Sequence, residues 1–127
     1  LLAPGCVVGV EVGESLEARL TLTWSIEQAS TRAPLDCALA GADTVRVTAR
    51  NTDTGDVAVD LFDCSADDGT TAALVSGSYF INVDLVSCGG GTTCRNAPIV
   101  SRAATMGPYG IWDDGDYDLG HFVFLVH

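Results

Sequence analysis

The sequence predicts an all-β fold: a single antiparallel β-sandwich of about seven strands with no substantial helix. Three observations carry this. Apolar and polar residues alternate with period two along several runs, the signature of strands with one dry and one wet face. Clusters of Gly, Asp, Asn and Ser separate these runs at intervals of about ten residues. No stretch carries the 3.6-residue periodicity of a stable helix.

The first strand is the clearest. Leu16, Ala18, Leu20, Leu22, Trp24 and Ile26 alternate with Glu17, Arg19, Thr21, Thr23 and Ser25. Residues 28–43 then form a longer connection containing Pro34 and Cys37. Val45, Val47 and Ala49 alternate with Arg46, Thr48 and Arg50 as the second strand, and Asn51–Asp56 turns the chain with Gly55 free to take a positive φ. Val57–Cys64 and Thr70–Val75 read as weaker strands on either side of Asp67-Asp68-Gly69. After Ser76-Gly77-Ser78, Tyr79, Ile81, Val83 and Leu85 alternate with Phe80, Asn82, Asp84 and Val86. Gly89-Gly90-Gly91 is too pliable for regular structure, and Pro98–Thr105 is a further weak strand. The final run sets Leu119, His121, Val123 and Leu125 against Phe122, Phe124 and Val126, so both of its faces are partly apolar. The expected core holds Leu20, Leu22, Trp24, Val45, Val47, Tyr79, Ile81, Val83, Phe122 and Phe124.

Composition narrows the function. The 127 residues suffice for one domain with one core, and a hydrophobic fraction of 47% excludes disorder. Seventeen acidic residues stand against six Arg and no Lys, and a net charge of −11 repels phosphate backbones, so nucleic acid is not expected as a partner. It also disfavours direct contact with anionic headgroups. No apolar run reaches the roughly 18 residues of a membrane span, so any membrane attachment has to come from a lipid.

Leu1-Leu2-Ala3-Pro4-Gly5-Cys6 resembles the end of a lipoprotein signal peptide, with apolar then small residues before a cysteine. It departs from the usual lipobox in carrying Ala3 three residues before Cys6, where Leu is common, and Pro4 after it. On this reading the upstream part has been trimmed, Cys6 is lipidated, and the chain folds outside the cytoplasm as a membrane-anchored lipoprotein of a bacterial cell envelope. Residues 1–15 are then a signal remnant, lipidated cysteine and tether, with 16–127 as the folded domain. Residues 7–15 would reach about 30 Å when extended. The alternative is an ordinary apolar first strand whose Cys6 is buried or bridged. Parity favours lipid, because five cysteines in an exported chain leave one over.

Leu74-Val75-Ser76-Gly77-Ser78-Tyr79-Phe80-Ile81 resembles the strand entry of bacterial Ig-like and carboxypeptidase-regulatory-like domains. In those domains the Gly makes the turn, while the Tyr buries its ring and caps backbone with its hydroxyl, as in a tyrosine corner. Trp24 in a long first strand, Cys37 before Thr44-Val45-Arg46-Val47, and Phe62-Asp63-Cys64-Ser65 are similar to small surface lipoproteins of bacteria. The resemblance covers most of residues 16–87. It implies an Ig-like sandwich and brings no activity with it. In that layout Cys37 precedes one strand and Cys64 ends the next, so the two can bridge at one edge, and Cys88 and Cys94 can close the Gly-rich segment. Neither pair has the spacing of a zinc site.

One segment, residues 109–118, carries residues suited to ligand chemistry. Asp113, Asp114, Asp116 and Asp118 offer the hard oxygen ligands that Ca2+ requires, although the EF-hand pattern is absent. Tyr109, Trp112 and Tyr117 could stack on a sugar ring; the simpler reading has Trp112 fold back and close one end of the core. His121 reads as a partly buried strand residue and His127 as a terminal one. No nucleophile elbow, zincin helix or activated cysteine motif occurs, so no catalytic residue is assigned and an enzyme is not expected. The expected function is a non-catalytic, lipid-anchored surface or periplasmic module with a structural or protein-interaction role. The alternative is a calcium- or carbohydrate-binding module using the 109–118 loop. A glycan or protein partner is open on both readings, and no cofactor is expected.

Overall fold

A computed structural model describes residues 18–89, 94 and 97–127. Cys6 and the proposed tether 7–15 lie outside the described residues, as do Leu16 and Glu17 of the first apolar run. The strands are β1 (Ala18–Gln28), β2 (Thr44–Asn51), β3 (Val57–Asp63), β4 (Asp68–Thr70), β5 (Gly77–Val86), β6 (Ile99–Ile111) and β7 (Gly115–Val126). They form two sheets, β4-β1-β7 and β3-β2-β5-β6, packed as an all-β sandwich. One helical turn, α1 (Cys37–Ala40), breaks the β1–β2 connection. Asp36 caps it by accepting from the Leu39 amide, and Gly41 ends it at φ 74°. Among the described residues no helix is long and apolar enough to cross a membrane.

Period two sends alternate side chains of each strand inward, and the inner sets meet between the sheets. Ala18, Leu20, Leu22, Trp24 and Ile26 of β1 face Val45, Val47 and Ala49 of β2 and Tyr79, Ile81, Val83 and Leu85 of β5. Nine of the ten expected core residues are buried; Phe122 packs against the core while remaining half-buried, with Phe124 fully enclosed beside it. Trp24 satisfies its indole N–H on the Cys64 carbonyl at 2.9 Å, and its ring lies 6.0 Å from that of Phe62. Tyr79 is buried, and its hydroxyl donates to the Val75 carbonyl at 2.7 Å.

All strand pairings but one are antiparallel. β1 and β7 run parallel, from Ala18 beside Gly115 to Gln28 beside Val126. The short β6–β7 connection crosses between the two sheets, and this carries β7 back alongside β1 in the same direction. A register shift opposes Thr21–Thr23 to Asp118–His121, which places one extra residue in β7. Gly120 takes φ 97° there, and its amide donates to the Asp118 carboxylate at 2.8 Å. The bulge reverses the alternation: Tyr117 and Leu119 point to the core before it, Phe122, Phe124 and Val126 after it. That is why the final run is apolar on both phases.

Two local expectations are corrected. Thr70–Val75 is not a strand, since pairing stops at Thr70 and returns only as an isolated bridge at Leu74. Thr71 takes over there, accepting from the Leu20 amide through its hydroxyl at 3.0 Å and donating to the Ala72 carbonyl at 2.9 Å. A side chain thus supplies one ladder bond, while the Thr71 amide still donates to the Leu20 carbonyl at 2.9 Å. The other correction concerns Asp67-Asp68-Gly69: only Asp67, at φ 66°, is a turn residue, and Asp68 and Gly69 belong to β4.

Disulfides join Cys37 to Cys64, with Cα atoms 6.1 Å apart, and Cys88 to Cys94, at 5.0 Å. The first fastens α1 to a 3-10 turn at Cys64–Ala66. Closing its 27-residue span contributes about 3.5 kcal/mol through the unfolded chain.

Candidate functional site

The 109–118 stretch is not the loop that its Gly and Asp content predicts. β6 continues to Ile111 and β7 starts at Gly115, which leaves Trp112, Asp113 and Asp114 as the turn. Tyr109 and Tyr117 lie on facing strands with their rings edge-on, centroids 6.3 Å apart, and both pack against the core. The Tyr117 hydroxyl accepts from the Asp113 amide at 3.0 Å and donates to its carbonyl at 2.9 Å, so it ties the turn shut. Tyr109 is therefore a packing residue whose ring is taken up by Tyr117. Trp112 does not close the core: it is 62% exposed, and the fully buried Ile111 fills that place. Two-residue alternation demands this, because neighbours in a strand cannot both face inward.

The four aspartates are divided between turn and strand. Asp113 and Asp114 stand in the turn, while Asp116 and Asp118 project outward from β7 opposite Arg19 and Thr21. Among the described residues no three His, Cys, Asp or Glu side chains are grouped to hold a metal ion.

His121 is exposed rather than partly buried. Its Nδ1 lies 2.8 Å from the Thr23 hydroxyl and its Nε2 3.0 Å from that of Ser25. The Ser25 contact has the length of a nucleophile–base pair. Thr23, however, occupies the nitrogen that an orienting carboxylate takes in a hydrolytic triad. A cavity of about 550 Å³ opens on the other side of β1, walled mainly by Trp24, Ile26, Pro34, Leu35 and the Cys37–Cys64 bridge.

The richest surface is the outer face of the β3-β2-β5-β6 sheet. Strand register sets three rows across it: Val57, Arg50 and Phe80; Val59, Thr48, Asn82 and Thr105; and Leu61, Arg46, Asp84 and Arg102. In the last row Asp84 is 1% exposed and held between two guanidinium groups. Arg102 donates to it at 2.6 and 3.2 Å, and Arg46 at 3.5 Å. The bond from Asp84 raises the pKa of Arg102 above its ordinary value. Arg46 also donates to the carbonyls of Cys94 and Ala97, at 3.2 and 3.4 Å, which ties this end of the face to the segment at those residues.

Asp43 fastens the other side of that segment. Its carboxylate accepts from the amides of Cys88 and Gly89, at 2.9 and 3.0 Å, and from the Thr44 hydroxyl at 3.0 Å. These bonds, the Cys88 amide foremost, hold its pKa below the ordinary value. A carboxylate with a lowered folded-state pKa stabilises fully above the unfolded value, about 3.9, and loses that effect as pH falls through the folded one. Asp43→Asn should therefore lower the melting temperature at pH 7 by about 1–3 °C, a small effect because the group is solvated. The gap from the wild type should close below about pH 3.9. A gap that persists at pH 2 would show that the carboxylate charge is not what fastens the segment.

Compared with protein-family models, curated proteins and solved structures, the chain matches none of them. Its site therefore rests on its own residues.

Sequence reading missed the Arg46–Asp84–Arg102 row and Phe80, and it named Trp112 without the sheet face that Trp112 shares with Phe80. A signal for the row was present: opposite charges at the outward phase of two strong strands. Which strands were neighbours was not visible, and so neither was the contact.

Proposed function

We propose that this protein is a non-catalytic, lipid-anchored module of the bacterial cell envelope, with an Ig-like sandwich that acts by surface contact. The observation that carries the contact role is the outer face of the four-stranded sheet. Val57, Leu61 and Phe80 stand on it at 46, 44 and 38% exposure, with Trp112 at its end. Apolar residues gathered on one side in this way mark a surface that meets something. The two disulfides support an oxidising, extracytoplasmic setting. They also take up the other four cysteines, which supports lipid as the fate of Cys6. Tyr79, capping the Val75 carbonyl from the core, supports the Ig-like reading.

Anchoring is tested directly. Expressed in a bacterial host behind a complete export signal, the protein should partition into the detergent phase on cloud-point extraction. Cys6→Ser should move it to the aqueous phase or leave its precursor uncleaved. Equal partitioning of the two would sink the lipid anchor and leave the sandwich with an unlipidated N-terminal strand.

A further inference from the structure

The two outer faces of the sandwich differ in charge. On the β4-β1-β7 face, Glu27, Asp68, Asp116 and Asp118 stand at outward positions against Arg19 and the loop residue Arg32, which is paired to Glu27 at 2.7 Å. On the β3-β2-β5-β6 face, Arg46, Arg50 and Arg102 stand against two aspartates, Asp63 and Asp84. A chain with a net charge of −11 thus gathers three of its six basic residues on one sheet face. Two of the three, Arg46 and Arg102, are bound to the buried Asp84, while Arg50 is exposed in another row.

That face also presents two rings held against backbone. A Cβ on Gly107 would come within 2.5 Å of the Phe80 ring, and one on Gly110 within 2.6 Å of the Trp112 indole. Each glycine therefore makes room for a ring against β6 where a Cβ would collide with it. The guanidinium of Arg50 sits 5.5 Å from the centre of the Phe80 ring. Next to it lies a hollow of about 360 Å³, lined by Thr48, Arg50, Val57, Phe80, Asn82 and Thr105. Its polar members are two hydroxyls, an amide and the guanidinium.

We propose that this face binds an acidic polysaccharide, with sugar rings laid on Trp112 and Phe80 and a uronate carboxylate read by Arg50. Exposed flat rings complement the C–H faces of pyranoses. The Thr48, Asn82 and Thr105 side chains complement hydroxyls, and the exposed Arg50 guanidinium beside them complements a carboxylate. A protein partner would be served by the apolar side chains without the hydroxyl and amide row between them. The inference rests on the contact face described above and names its ligand; it does not depend on the lipid anchor.

The test is affinity electrophoresis and fluorescence titration of the folded, disulfide-bonded protein, with polygalacturonate and alginate as acidic probes and a neutral β-glucan as control. The acidic polymers should retard the protein and perturb its tryptophan emission, which reports on Trp112 because Trp24 is buried. Trp112→Ala and Arg50→Ala should each weaken binding about tenfold, and salt near 1 M should abolish the Arg50 contribution. Both positions are exposed, so unchanged melting curves would separate lost binding from lost folding. Three results would each overturn the proposal: no retardation by either acidic polymer, retardation equal with the neutral glucan, or retardation indifferent to both substitutions. Arg50-dependent binding to phosphatidylglycerol vesicles without polysaccharide binding would overturn it in favour of a headgroup surface. Detergent partitioning reads the anchor separately, so failure here leaves that result standing.

Discussion

Asp84→Ala should cost about 3–5 kcal/mol of folding stability, the range for removing one partner of a buried ion pair. The reason is what stays behind. Asp84 is 1% exposed, and the Arg46 side chain beside it, bound to the Cys94 and Ala97 carbonyls, only 9%. Deleting the carboxylate leaves that guanidinium desolvated next to Arg102, with like charges facing each other across the ladder. Arg102 is half in water and contributes less. Urea unfolding at pH 7 measures the cost, and the paired variant Asp84→Leu/Arg46→Leu should recover much of it, because the buried guanidinium leaves with its carboxylate. A loss below about 1 kcal/mol for Asp84→Ala would mean that water reaches the row and that it is a surface feature.

Trp24→Ala is the other large effect, about 3–5 kcal/mol. The indole spans from the inner face of β1 to the 3-10 turn at Cys64–Ala66, and truncation opens a cavity beside Phe62 that the bridged Cys64 cannot collapse into. Trp24→Phe separates the two parts of the loss. It keeps most of the packing and orphans only the Cys64 carbonyl, for about 1–2 kcal/mol. Unfolding midpoints of the two variants, read by far-UV circular dichroism, check the difference. Equal losses would place the stabilisation in the hydrogen bond instead of the cavity.

These effects also mark where the sequence was informative. β1, β2 and β5 could be read because both of their sheets have one wet face, so alternation is clean and the inner residues follow directly. The cysteine pairs could be read because each falls at a strand end or across a short Gly-rich span. Trp112 was misplaced through treating an apolar aromatic as core; the phase set by Ile111 decides its direction, and that phase needed the true end of β6. The last strand was ambiguous for a physical reason, since one extra residue at Gly120 shifts the inward phase from odd to even numbers. Thr71 could not have been found by pattern, because a hydroxyl replacing a ladder bond leaves no periodic trace. Charge segregation between the two faces was equally hidden, as it exists only once sheet membership assigns each Arg and Asp to a side.

The parallel β1–β7 pairing has a mechanical consequence. Because these strands run the same way, the described chain enters the sandwich beside Gly115 and leaves it beyond Val126, about 35 Å away along the strand. Tension between those two points acts along the β1–β7 ladder and loads all its hydrogen bonds at once in shear, whereas an antiparallel terminal hairpin would unzip them one after another. A domain tethered at its start and pulled from beyond its last strand would thus resist force with its longest-paired edge. Gly120 sits in that ladder as the one interruption, where sliding between the strands would begin.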